Sequence, residues 1–583
     1  MLDSAVLRNP KSTNWLSFEN PVARYVARTP ADVVDILNKV QQQVDSEGLY
    51  AVGFITYEAA PAFDEALVTH AQGLLPVACF SLFASPAILD VLPAKREPGS
   101  PAVAWHLRTE REAYLESIAR IKQQIELGNC YQVNFSIRQQ ATIDADPWDL
   151  FCDVAADAPY SAYLHCSDFT VVSASPELLF SLEGSELICR PMKGTAKRGT
   201  TTAEDREASL ALFESTKDRA ENVMIADMVR NDLGRVADPG SVEVRSLYDI
   251  EKYPTVWQMT STVAATSHST IPDILGALFP GASVTGAPKA SSMTIITELE
   301  DSPREIYTGS IGFLAPARQA QFNIAIRTAW IDKHTCTATY GIGGGIVWDS
   351  DADAEFDECL AKAGVLRTSL QGRVFNLLET MLWTPADGFF LIDEHMDRLQ
   401  ESAEYFDFRF DNDAILSELE TRTPEYGRVP TRVRLQLTRD GDVLLGHSAL
   451  GSTGSKQPLR IGLAALPVDS DDPFLYHKTT HRDVYDRALQ TATDCDDVLL
   501  WNADGYITET STANVLVEKD GQLLTPPVAC GLLGGTYRRW LLDTHEIEER
   551  EIHIDELAEA QPLQLINSVR GRFPGVLHKD RGQ

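Results

Sequence analysis

Cys189-Arg190-Pro191-Met192-Lys193-Gly194-Thr195 sets a lysine between a proline, whose ring fixes the backbone, and a glycine that lets a substrate approach the main chain closely. Upstream, Ser173-Ala174-Ser175-Pro176-Glu177 puts a carboxylate just beyond the apolar run Phe169-Thr170-Val171-Val172, so an acid and an amine can face each other across a strand pair. That pairing suits acid-assisted displacement, because burial favours both the neutral amine as nucleophile and the protonated carboxyl as proton donor. An ordinary Lys–Glu ion pair is the commoner arrangement, and these two residues alone do not separate the two readings. The rest of the chain does.

At 583 residues the chain is too long for one core. A content of 44% hydrophobic and 23% charged residues is that of a globular protein. A formal net charge of −33 argues against nucleic acid as a partner, since a phosphate backbone needs a basic face. An anionic small substrate would need local Arg, Lys or a bound cation. The nine cysteines are scattered without a CxxC pair, which indicates neither a disulfide framework nor a zinc site and fits a reducing cytoplasm. Met1-Leu2-Asp3-Ser4-Ala5-Val6 lacks the pattern of an export signal, and no apolar run is long enough to span a membrane.

Several stretches read directly as elements. Thr29-Pro30-Ala31-Asp32 opens a helix with Val33, Ile36, Leu37 and Val40 on one face, and Leu49 to Tyr57 reads as a strand. The proline-bearing segment from Val91 to Pro101 reads as an exposed connection. Thr109-Glu110-Arg111-Glu112 has the form of a capping box ahead of Tyr114, Ile118, Ile121 and Ile125, with Gly128 as the stop. Tyr131 to Ile137 alternates as a strand and turns Gln132 and Asn134 to one side, either toward solvent or toward a ligand.

Lys217-Asp218-Arg219-Ala220-Glu221-Asn222 begins a helix with a densely charged first turn. After the glycine turn Gly343-Gly344-Gly345 comes a helix carrying Glu355 and Glu358 on one face. Like charges at that spacing repel unless a cation lies near them. Oxygen ligands from separate helices, completed by substrate oxygens, are what Mg²⁺ prefers, whereas a surface helix with a Glu358–Lys362 pair is the plainer alternative.

These segments, with Gly128-Asn129-Cys130-Tyr131-Gln132, Arg230-Asn231-Asp232-Leu233-Gly234-Arg235, Gly286-Ala287-Pro288-Lys289, Tyr307-Thr308-Gly309-Ser310 and Ala325-Ile326-Arg327-Thr328, resemble in their order the motifs of chorismate-utilising enzymes over roughly residues 1 to 368. Within that family the chain looks like the aminodeoxychorismate synthase component I branch. Anthranilate synthases usually carry Ala where Lys193 stands and a histidine linked to pyruvate loss where Gln258 stands. Isochorismate and salicylate synthases carry a water-activating lysine where Gln132 stands. The resemblance implies Lys193 as nucleophile and Glu177 as the acid that protonates the leaving 4-hydroxyl. It further implies Mg²⁺ held by Glu221 and Glu358 with Glu355 close by, and Thr285, Tyr307, Arg327 and the main chain at Gly343 around the carboxylates. One Mg²⁺ and one arginine converging on the substrate would let an acidic protein bind a dianion.

A second unit begins near Gly372. Lys478 and Glu509 offer the amine and the carboxylate that pyridoxal phosphate requires, although by spacing alone an ion pair is the commoner reading. Glu379-Thr380, His395-Met396-Asp397-Arg398-Leu399, Lys478-Thr479, Thr508 to Asn514, Gly531 to Thr536 and Asn567-Ser568-Val569-Arg570-Gly571 resemble the fold-type IV pyridoxal phosphate family over about 372 to 583. By that resemblance Lys478 would bind the cofactor covalently, Glu509 would pair its ring nitrogen, and Arg398, Gly535 and Thr536 would take its phosphate. Gly534-Gly535 departs from the family's frequent Pro-Gly, which would loosen the phosphate loop.

The expected architecture is α+β: residues 1–368 form a large chorismate-utilising β-sandwich with helices, and 372–583 a two-subdomain α/β fold-type IV domain. The implied function is bifunctional: amination of chorismate to 4-amino-4-deoxychorismate, then elimination of pyruvate by the second half to leave 4-aminobenzoate. An anthranilate synthase-like half fused to a branched-chain or D-amino acid aminotransferase is the alternative, and a silent chorismate-binding scaffold the third. No Gly-x-Cys-x-Gly elbow occurs, so ammonia would come from a separate glutamine amidotransferase subunit. The second half leaves room for a homodimer.

Overall fold

The computed structural model describes residues 1–9, 12, 14–95, 103–155, 158–363, 375–450, 457–492, 494–558 and 563–578. The chain divides into two compact units. The first is Met1–Lys197 with Ser209–Gly372, and the second is Arg198–Ala208 with Arg373–Gln583. The expected boundary between 368 and 372 lies outside the described residues. An excursion that no composition shift marks, Arg198–Ala208, belongs to the second unit although it falls within the expected first domain.

In the first unit two ten-stranded sheets face each other. One runs through Gln132–Thr142, Thr337–Ile346, Thr328–Asp332, Phe169–Ser175, Tyr160–Cys166 and Leu2–Arg8, and the other through Val256–Thr266, Glu186–Arg190, Leu178–Glu183, Gln319–Asn323, Ser310–Ala315 and Tyr50–Ile55. Leu2, Val52, Phe54, Val171, Phe313 and Trp330 close the space between them as one apolar cluster drawn from both sheets. Helices cover the outer faces. Val33, Leu37, Val40 and Val44 line the buried side of the helix Val33–Glu47, which ends at Gly48 in the left-handed region, φ 68°. Each such side chain contributes roughly 1.5–3 kcal/mol by leaving water. On the other face Tyr114, Ile118 and Ile121 of the helix Arg111–Glu126 pack against Phe135 and Tyr340.

One local expectation is corrected and one open alternative is decided. The helix at Arg111 takes Glu110 as its N-cap with no side-chain cap hydrogen bond, so Thr109 and Glu112 form no capping box. The chain enters the helix one residue later than the motif supposes. Gln132 and Asn134 are buried, at 0% and 6% exposure, and the helix Lys289–Leu299 packs against their strand, so that face carries no solvent. Residues 96–101 of the expected connection lie outside the described residues.

The second unit has two parts. A four-stranded antiparallel sheet is built on Leu377–Thr384, Thr431–Leu437 and Val443–Ala449, with the helix Ile392–Phe406 packed on it. An eight-stranded mixed sheet contains Leu459–Leu463, which runs parallel to both Asp497–Trp501 and Gly571–Leu577, together with Ile507–Thr510, Asn514–Lys519 and Leu563–Asn567. The fold is thus the expected α+β arrangement in both halves.

Candidate active sites

Lys193 sits on the strand Met192–Lys197. Three contacts fix the main chain around it: Asn222 Nδ2 donates to the Lys193 carbonyl at 3.1 Å, Gln258 Nε2 donates to the Gly194 carbonyl at 2.7 Å, and Thr195 Oγ1 donates to Gln258 Oε1 at 3.0 Å. Gly194 has φ 96°, and a Cβ there would stand 3.0 Å from Asp218 Cβ, so only glycine is unstrained at this turn. Gln258, singled out in the sequence because anthranilate synthases usually carry histidine there, therefore holds the main chain that follows Lys193.

Glu177 lies on the turn between the strands Phe169–Ser175 and Leu178–Glu183, rather than on a strand paired with that of Lys193. Its Oε1 accepts from Ser283 Oγ at 2.6 Å and from the Met192 amide at 3.4 Å, which brings the carboxyl beside the lysine's own strand. Burial pushes Glu177 up to about 7, against the opposing effects of Ser283, Met192 and Lys193. Burial pushes the Lys193 amine down, opposed by Glu221, Glu177 and Glu358. The two shifts point the same way chemically, toward a protonated acid and a neutral amine.

Gln132 completes this face. Both atoms of its amide are buried and without a hydrogen-bond partner among the described residues. A Cβ on Gly345 would stand 2.5 Å from both Gln132 Nε2 and Lys193 Nζ. Glycine is needed there for space, and an orphaned buried amide next to a buried amine marks where a polar ligand fits.

The expected carboxylate-binding residues surround the same strands. Thr285 is buried and its hydroxyl donates to the Gly281 carbonyl at 3.0 Å. Tyr307 lies beneath the Arg138 guanidinium, 5.4 Å from its ring centroid, and its hydroxyl is 3.5 Å from Ser136 Oγ. Arg327 has φ 50°, an uncommon backbone for a residue with a side chain and of the kind that clusters at functional sites. The Gly343 carbonyl accepts from Lys362 Nζ at 3.1 Å.

Glu221 and Glu358 both act on Lys193, and Glu355 lies within electrostatic reach of Glu358. They do not form one ligand cluster: among the described residues no three His, Cys, Asp or Glu side chains could hold a metal ion together. Glu358 pairs with Lys362 at 2.8 Å, the plainer alternative read from the sequence, and Glu355 Oε1 accepts from Ser350 at 2.7 Å. Desolvation pushes Glu358 up, yet Lys362 holds it below the usual carboxylate range. Two protein carboxylates still fit Mg²⁺, which commonly keeps waters and takes one or two carboxylates plus substrate oxygens.

The second unit holds a cavity of about 300 Å³. Lys478, Glu509, Arg398, Gly535 and Thr536 all line it. Burial lowers the Lys478 amine to about 8, with Arg398 adding to the effect. Glu509 is raised by burial to about 7 and accepts from Tyr485 Oη at 2.7 Å, the Leu533 amide at 3.1 Å and Asn514 Nδ2 at 3.2 Å. A fully fixed carboxylate that is reluctant to ionise in its own surroundings is matched to a buried cation such as a protonated pyridine nitrogen.

Arg398 is held by the buried Glu379 through Nε to Oε1 at 2.8 Å and Nη2 to Oε2 at 2.6 Å, and its Nη1 donates to the Gly534 carbonyl at 3.1 Å. Glu379 also meets His395 Nδ1 at 2.6 Å. The loop without the family's proline is thus pinned by an arginine instead. A Cβ on Gly535 would stand 2.0 Å from Asn514 Oδ1, so a side chain there would displace the amide that holds Glu509. Asn222, Ser283 and Glu379 were not assigned roles from the sequence, although Asn222 and Glu379 stand inside motifs that were quoted and Ser283 carries no signal at all.

Comparison with known proteins agrees with this geometry. The family model described as chorismate binding enzyme matches residues 3–368, and that described as amino-transferase class IV matches residues 376–576. Aminodeoxychorismate synthase component 1 of Salmonella typhimurium is 42% identical over 278 residues, covering 46% of this chain and 59% of that protein. Anthranilate synthase component 1 3 of Haloarcula marismortui is 37% identical over 286 residues, covering 47% and 56%. The chain thus spans under two thirds of the length of these relatives. Among solved structures, anthranilate synthase component I from Streptococcus pneumoniae is 22% identical with a TM-score of 0.54, covering 63% of this chain and 93% of that one, which shows a shared fold. With a family model spanning most of its length, the chain belongs to the chorismate binding enzyme family.

Proposed function

We propose that the chain makes 4-aminobenzoate from chorismate and ammonia in two steps, one in each unit. The observation that carries the first step is the raised Glu177 carboxyl beside the lowered Lys193 amine. Lys193 Nζ attacks the chorismate ring while the 4-hydroxyl leaves as water with the proton of Glu177. A C–N bond forms, a C–O bond breaks, and the lysine nitrogen keeps its two protons as a secondary ammonium opposite the ionised Glu177. Ammonia then adds at C4, the lysine leaves as the neutral amine, Glu177 takes the proton that ammonia sheds, and 4-amino-4-deoxychorismate is released. The sum is chorismate plus ammonia giving the amino compound and water. Arg327, Tyr307, Thr285 and the Gly343 main chain hold the substrate carboxylates, and Glu221 with Glu358 would hold a Mg²⁺ that offsets their charge.

For the second step, pyridoxal phosphate supplies an electron sink when bound. Lys478 anchors it and carries a proton during pyruvate loss, Glu509 faces its ring nitrogen, and Arg398, Gly535 and Thr536 hold its phosphate. Lyase rather than aminotransferase chemistry is supported by the alternation Thr431-Arg432-Val433-Arg434, which buries the apolar residues and leaves both arginines at the cavity with Arg482 and Arg570. Such a wall suits a substrate with two carboxylates better than a branched-chain amino acid with one. Ammonia arrives from a separate glutamine amidotransferase subunit, and the protein works in the cytoplasm.

Incubation with chorismate, an ammonium salt, Mg²⁺ and pyridoxal phosphate tests this reading by product analysis. Equal amounts of 4-aminobenzoate and pyruvate are expected. Anthranilate, or amino transfer to a keto acid without pyruvate release, would favour the fused anthranilate synthase and aminotransferase reading instead.

A further inference from the structure

Behind Glu177 lies a cavity of about 20 Å³. That is room for one molecule the size of water. Leu179, Cys189, Val229 and Ile324 give it mostly apolar walls, while Glu177 with Ser283 and the partly exposed Asp232 supply its polar groups. Asp232 is paired with Lys289 at 3.0 Å, and both side chains keep about 15% exposure, so this side of the cavity stands near the surface whereas Glu177 is fully enclosed. Among the described residues, both hydrogen bonds that the Glu177 carboxylate accepts fall on Oε1.

The geometry points to this cavity as the waiting site for ammonia, filled from the Asp232 side and emptied past Glu177, an inference that rests on the amination reading above. The carbon that loses its hydroxyl to Glu177 is the carbon that must receive nitrogen, so ammonia has to arrive beside that carboxyl. An apolar passage admits neutral ammonia and strongly disfavours ammonium, whose charge would be costly to bury. Glu177, ionised once its proton has left with the hydroxyl, accepts a hydrogen bond from the waiting molecule and takes the proton that ammonia sheds as the new C–N bond forms. The acid of the first displacement is then the base of the second, and no further group is needed.

The cavity can be narrowed without replacing any residue assigned to the reaction. A Cβ on Gly281 would stand 2.6 Å from Ile324 Cδ1 and 3.6 Å from Leu179 Cδ1, so Gly281→Ala adds a methyl group at the cavity wall that displaces the flexible end of Ile324. Ile324→Val removes the same methyl group and widens the space. The full-length protein is assayed with varied ammonium chloride, alongside intact-mass detection of the chorismate adduct on Lys193 without ammonia. Gly281→Ala should raise the ammonia KM about tenfold, the scale on which one methyl group discriminates small ligands in a tight site. Ile324→Val should lower it, and both should keep the chorismate KM and the adduct. An ammonia KM that moves in neither variant overturns the inference, as does a chorismate KM that rises in step with it. Absence of the adduct in the wild type would instead sink the lysine mechanism, whatever the ammonia kinetics.

Discussion

Ser283 Oγ donates to Glu177 Oε1 at 2.6 Å from a 3-10 turn, Ala282–Val284, 106 residues away in sequence, a closer contact than the 3.4 Å from the Met192 amide. A donor favours the ionised form, so Ser283 keeps Glu177 from rising further than burial alone would push it. Amination needs Glu177 protonated, and the rate should fall as pH rises through about 7. Ser283→Ala should move that falling limb up by about one pH unit, the scale of one hydrogen bond to a charged group. A pH profile of adduct formation measures it, and an unmoved or downward limb would contradict the assignment. The stability sign is also fixed: the folded state binds an extra proton between the ordinary 4.5 and about 7, so Glu177 makes the fold less stable as pH rises across that window.

Lys193→Ala should lower amination on the order of 10³-fold or more, as loss of a covalent nucleophile does. Its cofactor absorbance and its conversion of supplied 4-amino-4-deoxychorismate should stay intact. Lys478→Ala should show the mirror pattern, with normal amination and no cofactor absorbance. Loss of both activities in either variant would refute the separation of the two chemistries.

How much of this was legible follows from what each signal encodes. Lys193, Glu177, Lys478 and Glu509 stand inside motifs, and the members of each pair lie within electrostatic reach of each other. Alternation identified the strand at Gln132 but could not tell what covers its polar face, because period two describes faces and not neighbours. Ser283 was invisible since one hydroxyl in a turn looks like any other until tertiary structure aims it. Arg198–Ala208 was missed for a related reason: membership of a unit is decided by packing, and nothing in its composition differs from the segments around it.

The carboxylates near Lys193 make a metal test direct. If Mg²⁺ bridges Glu221, Glu358 and the substrate, EDTA should stop amination and added Mg²⁺ should restore it, while conversion of the supplied intermediate continues. Glu358→Gln should raise the Mg²⁺ concentration needed for half-maximal rate, read by titration at fixed chorismate. Full amination after exhaustive chelation would remove the metal from the site.

Glu379 is the anion that fixes Arg398 at the wall of the second cavity, since it binds Arg398 twice and His395 once. Desolvation would raise this carboxyl, yet Arg398 and His395 bring it down to about 2. Its contribution to stability is therefore present above the ordinary 4.5 and is lost as pH falls toward about 2. Glu379→Gln should cost roughly 3–5 kcal/mol, the scale for breaking a buried ion pair, and should weaken pyridoxal phosphate binding. Melting of the cofactor-free protein and cofactor titration by absorbance both read it. Unchanged values in both would show that Arg398 needs no partner.

Cutting the chain between its two family segments should not yield two equally sound halves. A fragment ending at 368 should still aminate chorismate with added ammonia and accumulate the amino compound, because Gln258 stands where pyruvate-eliminating relatives carry histidine. A fragment from 373 to 583 lacks Arg198–Ala208, which is part of its own compact unit. Within that unit Arg198 binds Asp205 at 2.8 and 2.6 Å, donates to the Tyr405 carbonyl at 2.9 Å and stacks 4.2 Å from the Tyr405 ring centroid. Tyr405 Oη donates to the Gly199 carbonyl at 2.9 Å, and its ring lies 4.3 Å from that of His477, the residue before Lys478. Removing the segment uncovers Tyr405 and loosens the support of the cofactor lysine. The 373–583 fragment should therefore lose about 2–4 kcal/mol of stability, from one stacked guanidinium and several hydrogen bonds, and should bind pyridoxal phosphate more weakly than the intact chain. A peptide of residues 198–208 added in trans should recover part of both, and Arg198→Ala in the full chain should shift both in the same direction as the cut. Identical melting and cofactor affinity for the fragment and the intact chain would mean that the segment merely rests on the second unit.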